Sequence, residues 1–319
     1  MAEEKIEKVL LIGPRGFCAG VDRAISTVEE ALKAFGAPVY VKHEIVHNKV
    51  VCSELREKGA IFVEEVSEIP EGSICIFSAH GIPPGVRDEA KRRKLHTIDA
   101  TCPLVTKIHI EVERFAREGK EILYIGHKGH PEAVGVMGIR PDITQLIDST
   151  EEAERISVRD PKKLVYLTQT TLSVDECKGV IAALKRRFPE ISAPPSSDIC
   201  YATTNRQAAI KQAAKQCDLI LIVGSKNSSN SNRLVDTAHS LGVSAYLIDS
   251  TSELRTEWLI GKKRVGISAG ASAPEHIVQE TAAFFRERGA IVENLDMIRE
   301  NMKFTMPYEL YKIERNVVE

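Results

Sequence analysis

No Cys-x-x-Cys pair occurs in the sequence, although it holds seven cysteines. An odd number of scattered thiols does not make a disulfide framework. Without paired thiolates, the zinc-ribbon, thioredoxin-type and bacterial ferredoxin-type readings lose their ligand geometry. Nor does any stretch approach the roughly eighteen consecutive apolar residues of a membrane span. The opening MAEEKIEKVLLIG is acidic and its apolar run is too short for a secretory core, so a cytoplasmic location is expected. Phosphate-binding glycine motifs are missing too: Gly13-Pro14-Arg15-Gly16 fits neither the Gly-x-x-x-x-Gly-Lys-Ser/Thr nor the Gly-x-Gly-x-x-Gly spacing, which argues against an ATPase or a nicotinamide site. With a formal net charge of −2, the electrostatic footprint of a nucleic-acid binder is absent. The local basic run Lys91-Arg92-Arg93-Lys94 lies on a helical stretch and reads as a solvated face, with a docking patch for an acidic protein as the alternative.

What the chain does contain is repetition. Its 319 residues, 43% hydrophobic and 28% charged, allow two or three domains and need no disulfide staples. VLLIG, HTIDA and SSDIC each read as a short strand leading through a polar turn into a helix, with Cys18, Cys102 and Cys200 at the three junctions. Three further strand-loop-helix passages follow each cysteine in step: PVYVK, IFVEEV and SICIF; EILYIG, ITQLID and KLVYLT; CDLILIV, SAYLID and KRVGIS. The expected fold class is therefore α/β, in three similar small domains with parallel sheets. The expected boundaries are 1–95, 96–194 and 195–287, with 288–319 as a tail packing on the first domain. Ligands of such sheets bind beyond the carboxyl ends of the strands. A pseudo-threefold arrangement with those ends inward would bring the three cysteines to one central pocket.

Taken alone, each cysteine reads as a small buried hydrophobe. Recurrence in register sets Cys18, Cys102 and Cys200 apart; Cys52, Cys75, Cys177 and Cys217 have no equivalents and read as structural. Three thiolates without a fourth ligand suit an open zinc site or a cubane iron–sulfur cluster with one iron lacking a protein ligand. The second option also passes electrons, which suits reductive or dehydrative removal of a hydroxyl. His47 in EIVHN, His80 in SAHG, Ser228, Ser229 and Asn230 in GSKNSSNSN, and Ser272 in AGASAP place imidazoles, hydroxyls and an amide at helix starts, where an anion is cradled. On composition alone the Ser/Asn loop also fits a flexible turn. In GHKGHPE, Glu132 follows His130 across a proline that turns its carboxylate toward the pocket. Buried beside an anion it would serve as a proton donor; its alternative is a surface turn carboxylate. His127 and His130 also form a candidate metal pair. Thr170 in TQTTLS and Asn230 belong to the polar inventory that orients a substrate hydroxyl.

GFCAGV, EIVHN, SAHG, DATCP, GHPE, TQTTLS, DICYATTNRQ, VGSKNSSNSNRL and AGASAP, in that order from about Leu11 to about Pro274, resemble the 4-hydroxy-3-methylbut-2-enyl diphosphate reductase family of the methylerythritol phosphate route to isoprenoids. The resemblance implies a three-lobed α/β fold with a central [4Fe-4S] cluster on Cys18, Cys102 and Cys200, its fourth iron free for the substrate's hydroxyl. It implies an allylic diphosphate held by His47, His80, His130, Thr170, Ser228, Ser229, Asn230 and Ser272. Catalysis falls to Glu132, aided by Thr170 and His130, with electrons from a ferredoxin- or flavodoxin-type partner. One departure is Ala133-Val134-Gly135-Val136, where the family pattern has Val-x-Gly-Thr. A hydro-lyase or condensing enzyme similar to quinolinate synthase would show more arginine among these motifs, and a non-enzymatic iron–sulfur sensor would need a basic or DNA-binding face.

Overall fold

The structure is a computed structural model that describes residues 5–317. Its strands are β1 (Lys8–Gly13), β2 (Val39–Lys42), β3 (Ala60–Val63), β4 (Ile74–Phe77), β5 (His96–Asp99), β6 (Glu121–Ile125), β7 (Thr144–Ile147), β8 (Leu164–Thr168), β9 (Leu219–Val223), β10 (Ser244–Ile248), β11 (Arg264–Ala269) and β12 (Ile291–Asp296). Every strand pairing is parallel, and helices connect the strands, as parallel crossovers require. The chain forms two compact units. One takes in the chain to Ala19, His47–Val51 and Tyr201–Lys303, and holds the sheet β10-β9-β11-β1-β12. The other takes in Gly20–Val46, Cys52–Cys200 and the chain from Phe304, and holds the sheets β3-β2-β4-β5 and β7-β6-β8. The fold is α/β with three parallel sheets, as the repeats imply. No helix among the described residues is long and apolar enough to cross a membrane.

The strands are apolar on both sides because both faces are covered. In β1, Val9 and Leu11 join Leu219, Leu221, Val265 and Ile267 against the helix Glu275–Glu287. Leu10 and Ile12 join Ile220 and Ile222 against Ile210 and Leu234. The same alternation runs through β6, with Leu123 and Ile125 on one side and Ile122 and Tyr124 on the other. A period of two with both faces buried is what a run such as Leu219–Val223 encodes.

Strand pairing differs from the repeat boundaries in an informative way. β5, the strand before Cys102, joins β4 of the preceding copy, and β1, before Cys18, joins β11 of the third. SSDIC is not a strand. The nearest equivalent is an isolated parallel bridge between Ser192 and Val165 of β8, and Pro194 and Pro195 then remove the N–H groups a longer ladder would need. The five- and four-stranded sheets thus share one order, with the strand leading to a cysteine docked beside the last strand of the previous copy, while the three-stranded sheet has only the isolated bridge at that place. Periodicity reveals the repeat but not which of two sheets a boundary strand joins. Beyond Arg288, β12 pairs with β1 over six residues, so the expected tail contributes an edge strand. Its mostly exposed IVENLD carries little hydrophobic signal. The basic run ends the helix Pro84–Arg92, where Lys94 pairs with Glu71 and Arg93 donates to the carbonyl of Ile69.

Candidate functional site

In the four- and five-stranded sheets the chain leaves one inner strand toward one edge and the next inner strand toward the other, which puts a crevice of the kind where α/β sheets bind ligands between β2 and β4 and between β9 and β11; β6 and β8 are the corresponding pair of the three-stranded sheet. The six loops at those strand ends carry His47, His80, His130 with Glu132, Thr170, Ser228–Asn230 and Ser272. Every anticipated loop residue thus follows, in the sequence, one of these six strands.

The three cysteine turns are built alike. The amide of Cys18 donates to the carbonyl of Ala271, that of Cys102 to Ala79 and that of Cys200 to Thr170, each at 3.0 Å. Each acceptor lies two residues beyond its strand, β11, β4 or β8. A helix begins immediately after each cysteine, and Cys102 is itself an N-cap. These three thiols are partly exposed, whereas Cys52, Cys75, Cys177 and Cys217 are buried. Burial pushes the thiols of Cys52 and Cys217 up to about 11 and that of Cys75 to about 12, which keeps them protonated. Thiols at helix starts that are open to solvent can serve as metal ligands. Among the described residues no three His, Cys, Asp or Glu side chains could hold one metal ion between them. The thiolates of a cubane each bind a different iron, so this donor chemistry fits a cluster.

Glu132 is the chemical centre of the second unit. His130 caps the helix Pro131–Met137, its Nδ1 accepting the Glu132 amide at 3.2 Å, which leaves the ring proton on Nε2. The Glu132 side chain is buried. Its Oε1 accepts from the Thr170 amide at 2.8 Å and from the Tyr124 hydroxyl at 3.4 Å, and its Oε2 from the Thr170 hydroxyl at 2.8 Å. Burial raises the carboxyl from its ordinary range to about 7, against the opposing effect of those three donors. Tyr124, buried and beside that carboxylate, is pushed well above its ordinary value and remains a donor. Gln169 braces the loop by accepting the His127 amide at 3.0 Å and donating to the Thr171 hydroxyl at 2.9 Å. The His80 ring, with Ser78 Oγ 3.2 Å from its Nδ1, meets the His130 ring edge-on at 6.1 Å. The His127 Nδ1 lies 2.8 Å from Asp148 Oδ1.

In the first unit, Ser272 Oγ donates to the carbonyl of His47 at 3.0 Å. Asn230 Oδ1 accepts the Ala271 amide at 2.9 Å, and its Nδ2 donates to Thr203 Oγ1 at 3.3 Å. Ser228 caps the helix Ser229–Ser240, accepting from the amide and hydroxyl of Ser231. The helix start sits tightly on the strand ends, for a Cβ on Gly224 or Gly270 would fall 2.3 or 2.0 Å from Ser231 Oγ. His47, Asn230 and Ser272 are therefore brought together through Ala271 and its neighbours. The departure from the family pattern is harmless locally: Val136 is fully buried among Ile108, Val112 and Phe115 and needs no hydrogen-bond partner.

Sequence reasoning missed Tyr124, Gln169, Ser231 and Arg206. A tyrosine inside an otherwise aliphatic strand, which must find a partner for its hydroxyl, was the available signal for the first.

The LytB protein family model matches residues 9–286. The 4-hydroxy-3-methylbut-2-enyl diphosphate reductase of Ralstonia nicotianae is 55% identical over 301 residues, which cover 94% of this chain and 93% of that protein. The enzyme of the same name from Acidothermus cellulolyticus is 54% identical over 305 residues, 95% of this chain and 90% of its own. The solved structure of the E-1-hydroxy-2-methyl-but-2-enyl-4-diphosphate reductase from Plasmodium falciparum matches with a TM-score of 0.95 at 40% identity, covering 98% of this chain and 100% of that one. With a family model spanning most of the sequence and a solved relative following its whole course, the chain belongs to the LytB protein family.

Proposed function

We propose that this chain reduces 4-hydroxy-3-methylbut-2-enyl diphosphate to isopentenyl and dimethylallyl diphosphate, the activity in its relatives' names. A solved relative, with a TM-score of 0.63 at 33% identity over 88% of this chain and 100% of its own, is titled the terminal enzyme of the non-mevalonate pathway, and the same place is assigned here. The observation that carries the reading is Glu132, a buried carboxyl held near neutrality by burial and aimed by Thr170.

Cys18, Cys102 and Cys200 would hold a [4Fe-4S] cluster, which would pass two electrons one at a time from the donor and offer a Lewis-acid iron to the substrate's hydroxyl. The chain supplies everything else. Converting C–OH to C–H and water takes two electrons and two protons, so a proton source beside the reacting carbon is required. Glu132 is that source: with its carboxyl near 7 it is protonated in a useful fraction of molecules, gives one proton up readily and is reprotonated from solvent to give the second. The Thr170 hydroxyl, bonded to Glu132 Oε2, relays the proton and orients the substrate's hydroxyl. His130, with its proton on Nε2, donates to the bound anion, together with His80, His47, Ser228, Ser229, Asn230 and Ser272. Helix N-termini at His130 and Ser228 add their dipoles to that cradle. The electron donor is a ferredoxin- or flavodoxin-type protein.

The test is anaerobic turnover of the allylic diphosphate with a reduced low-potential donor. Both five-carbon diphosphates should form at the expense of electrons. A hydrated or dehydrated product formed without electron consumption would assign the chain to the hydro-lyases instead.

A further inference from the structure

The segment DICYATTNRQ contains a charged side chain that the reaction does not use. Arg206, on the helix Tyr201–Ala213, is fully buried. Its Nη2 donates to the carbonyl of Gly16 at 2.8 Å, while its Nη1 donates to Glu300 Oε1 and Oε2 at 3.0 and 3.2 Å and to the carbonyl of Ala202 at 3.1 Å. Asn205 also donates to Glu300 Oε1 at 3.0 Å. Five residues earlier on the same helix, the Tyr201 hydroxyl accepts the Ala19 amide at 3.1 Å. Together with the Cys18–Ala271 bond, these contacts hold the turn at Gly16, Cys18 and Ala19.

A buried ion pair is expensive. Apolar residues of the same volume commonly serve stability as well or better, and here Arg206 Nε has no hydrogen-bond partner. A stability role therefore does not explain it. We infer that the Arg206–Glu300 pair positions Cys18: the guanidinium fixes the Gly16 carbonyl two residues before it and, with Glu300, places an ion pair behind that turn. The carboxylate comes from beyond β12, so the C-terminal part of the chain contributes to the setting of a proposed cluster ligand. This inference rests on the proposed cluster.

Two readouts on the anaerobically purified holoprotein test it, neither of them turnover: the cluster's midpoint potential and the rate of iron release to a chelator. Glu300→Gln leaves an uncompensated cation and should raise the midpoint potential, while Arg206→Met removes the cation and should lower it. Opposite shifts are not what general loosening produces. Because Arg206→Met leaves the half-buried Glu300 without its cation and the variant is at risk of not folding, the double variant Arg206→Met/Glu300→Met provides a second route. It loses the charge-assisted bond to Gly16, and iron release should accelerate roughly tenfold to a hundredfold, matching about 1.5–3 kcal/mol for such a bond. A wild-type potential in Glu300→Gln together with wild-type iron release in the double variant overturns the inference. If Cys18→Ser keeps its full iron, the cluster reading itself has failed instead.

Discussion

Thr170 holds Glu132 by two hydrogen bonds, from its amide to Oε1 and from its hydroxyl to Oε2, both at 2.8 Å, while its carbonyl receives the amide of Cys200 at 3.0 Å. One residue thereby fixes the proposed proton donor and the turn of a proposed cluster ligand. The proposed proton source and the proposed electron source are set by the same stretch of backbone.

The ligand assignment separates the seven cysteines into two groups. Cys18→Ser, Cys102→Ser and Cys200→Ser should each lose the cluster's absorbance together with iron and sulfide, whereas Cys75→Ser and Cys217→Ser, at buried sites whose thiols stay protonated, should keep them. Iron and sulfide analysis of the purified variants decides it. Full iron in Cys200→Ser would remove that residue from the site.

The anion cradle divides in a similar way. His80→Ala should weaken binding of the allylic diphosphate about tenfold to a hundredfold, the equivalent of one charge-assisted hydrogen bond, and leave the cluster spectrum unchanged. Asn230→Ala should do more, because Asn230 also holds the Ala271 amide whose carbonyl binds Cys18, so iron should leave that variant faster as well. Calorimetry with the diphosphate and with the corresponding alcohol reads the first effect. Equal affinity for the two would mean that no cradle exists.

Glu132 also makes stability depend on pH. Its folded carboxyl titrates at about 7 instead of near 4.5, so the folded chain holds this proton more tightly than the unfolded one. The contribution is fully present below the unfolded value and is lost as pH rises through the folded one; a shift of this size is worth roughly 3 kcal/mol. Wild type should thus lose stability relative to Glu132→Gln between about pH 4.5 and 7. Denaturation midpoints of the two proteins, compared on either side of that window, test the sign; a difference that does not change with pH contradicts it.

Tyr124 tunes the same group. Its hydroxyl donates to Glu132 and favours the ionised form, so Tyr124→Phe should raise the carboxyl further and move the alkaline fall of turnover to higher pH. Phenylalanine fills the same buried space among Ile122, Val165 and Leu167, so the fold should survive. An unmoved or acid-shifted profile would show that the 3.4 Å contact does not act on the carboxyl.

Much of this architecture was legible because repetition is written in residue types. Eleven of the twelve expected strands form, and the loops with His, Ser and Asn fall at carboxyl ends of strands because a parallel sheet with helical crossovers leaves them nowhere else. What was hidden depends on partners distant in sequence. β1 and β5 carry no mark of which sheet they join. β12 is an exposed edge with a polar pattern. Arg206 meets Glu300 across 94 residues that no local period connects. SSDIC looked like a strand because it ends like its counterparts; instead Asp198 supplies the acceptor for the Thr168 amide at the edge of β8 that a strand's carbonyl would have given.

The central claim is that Glu132 gives up the proton while other groups hold the substrate and the electrons. Glu132→Gln keeps the shape of the side chain and its bonds to Thr170 in modified form but has no acidic proton. Turnover of the allylic diphosphate by the purified holoprotein, measured beside its cluster spectrum and substrate affinity, is the direct test. The account predicts a fall of about 10²- to 10⁴-fold in turnover with spectrum and affinity retained. Turnover near the wild-type rate would contradict it.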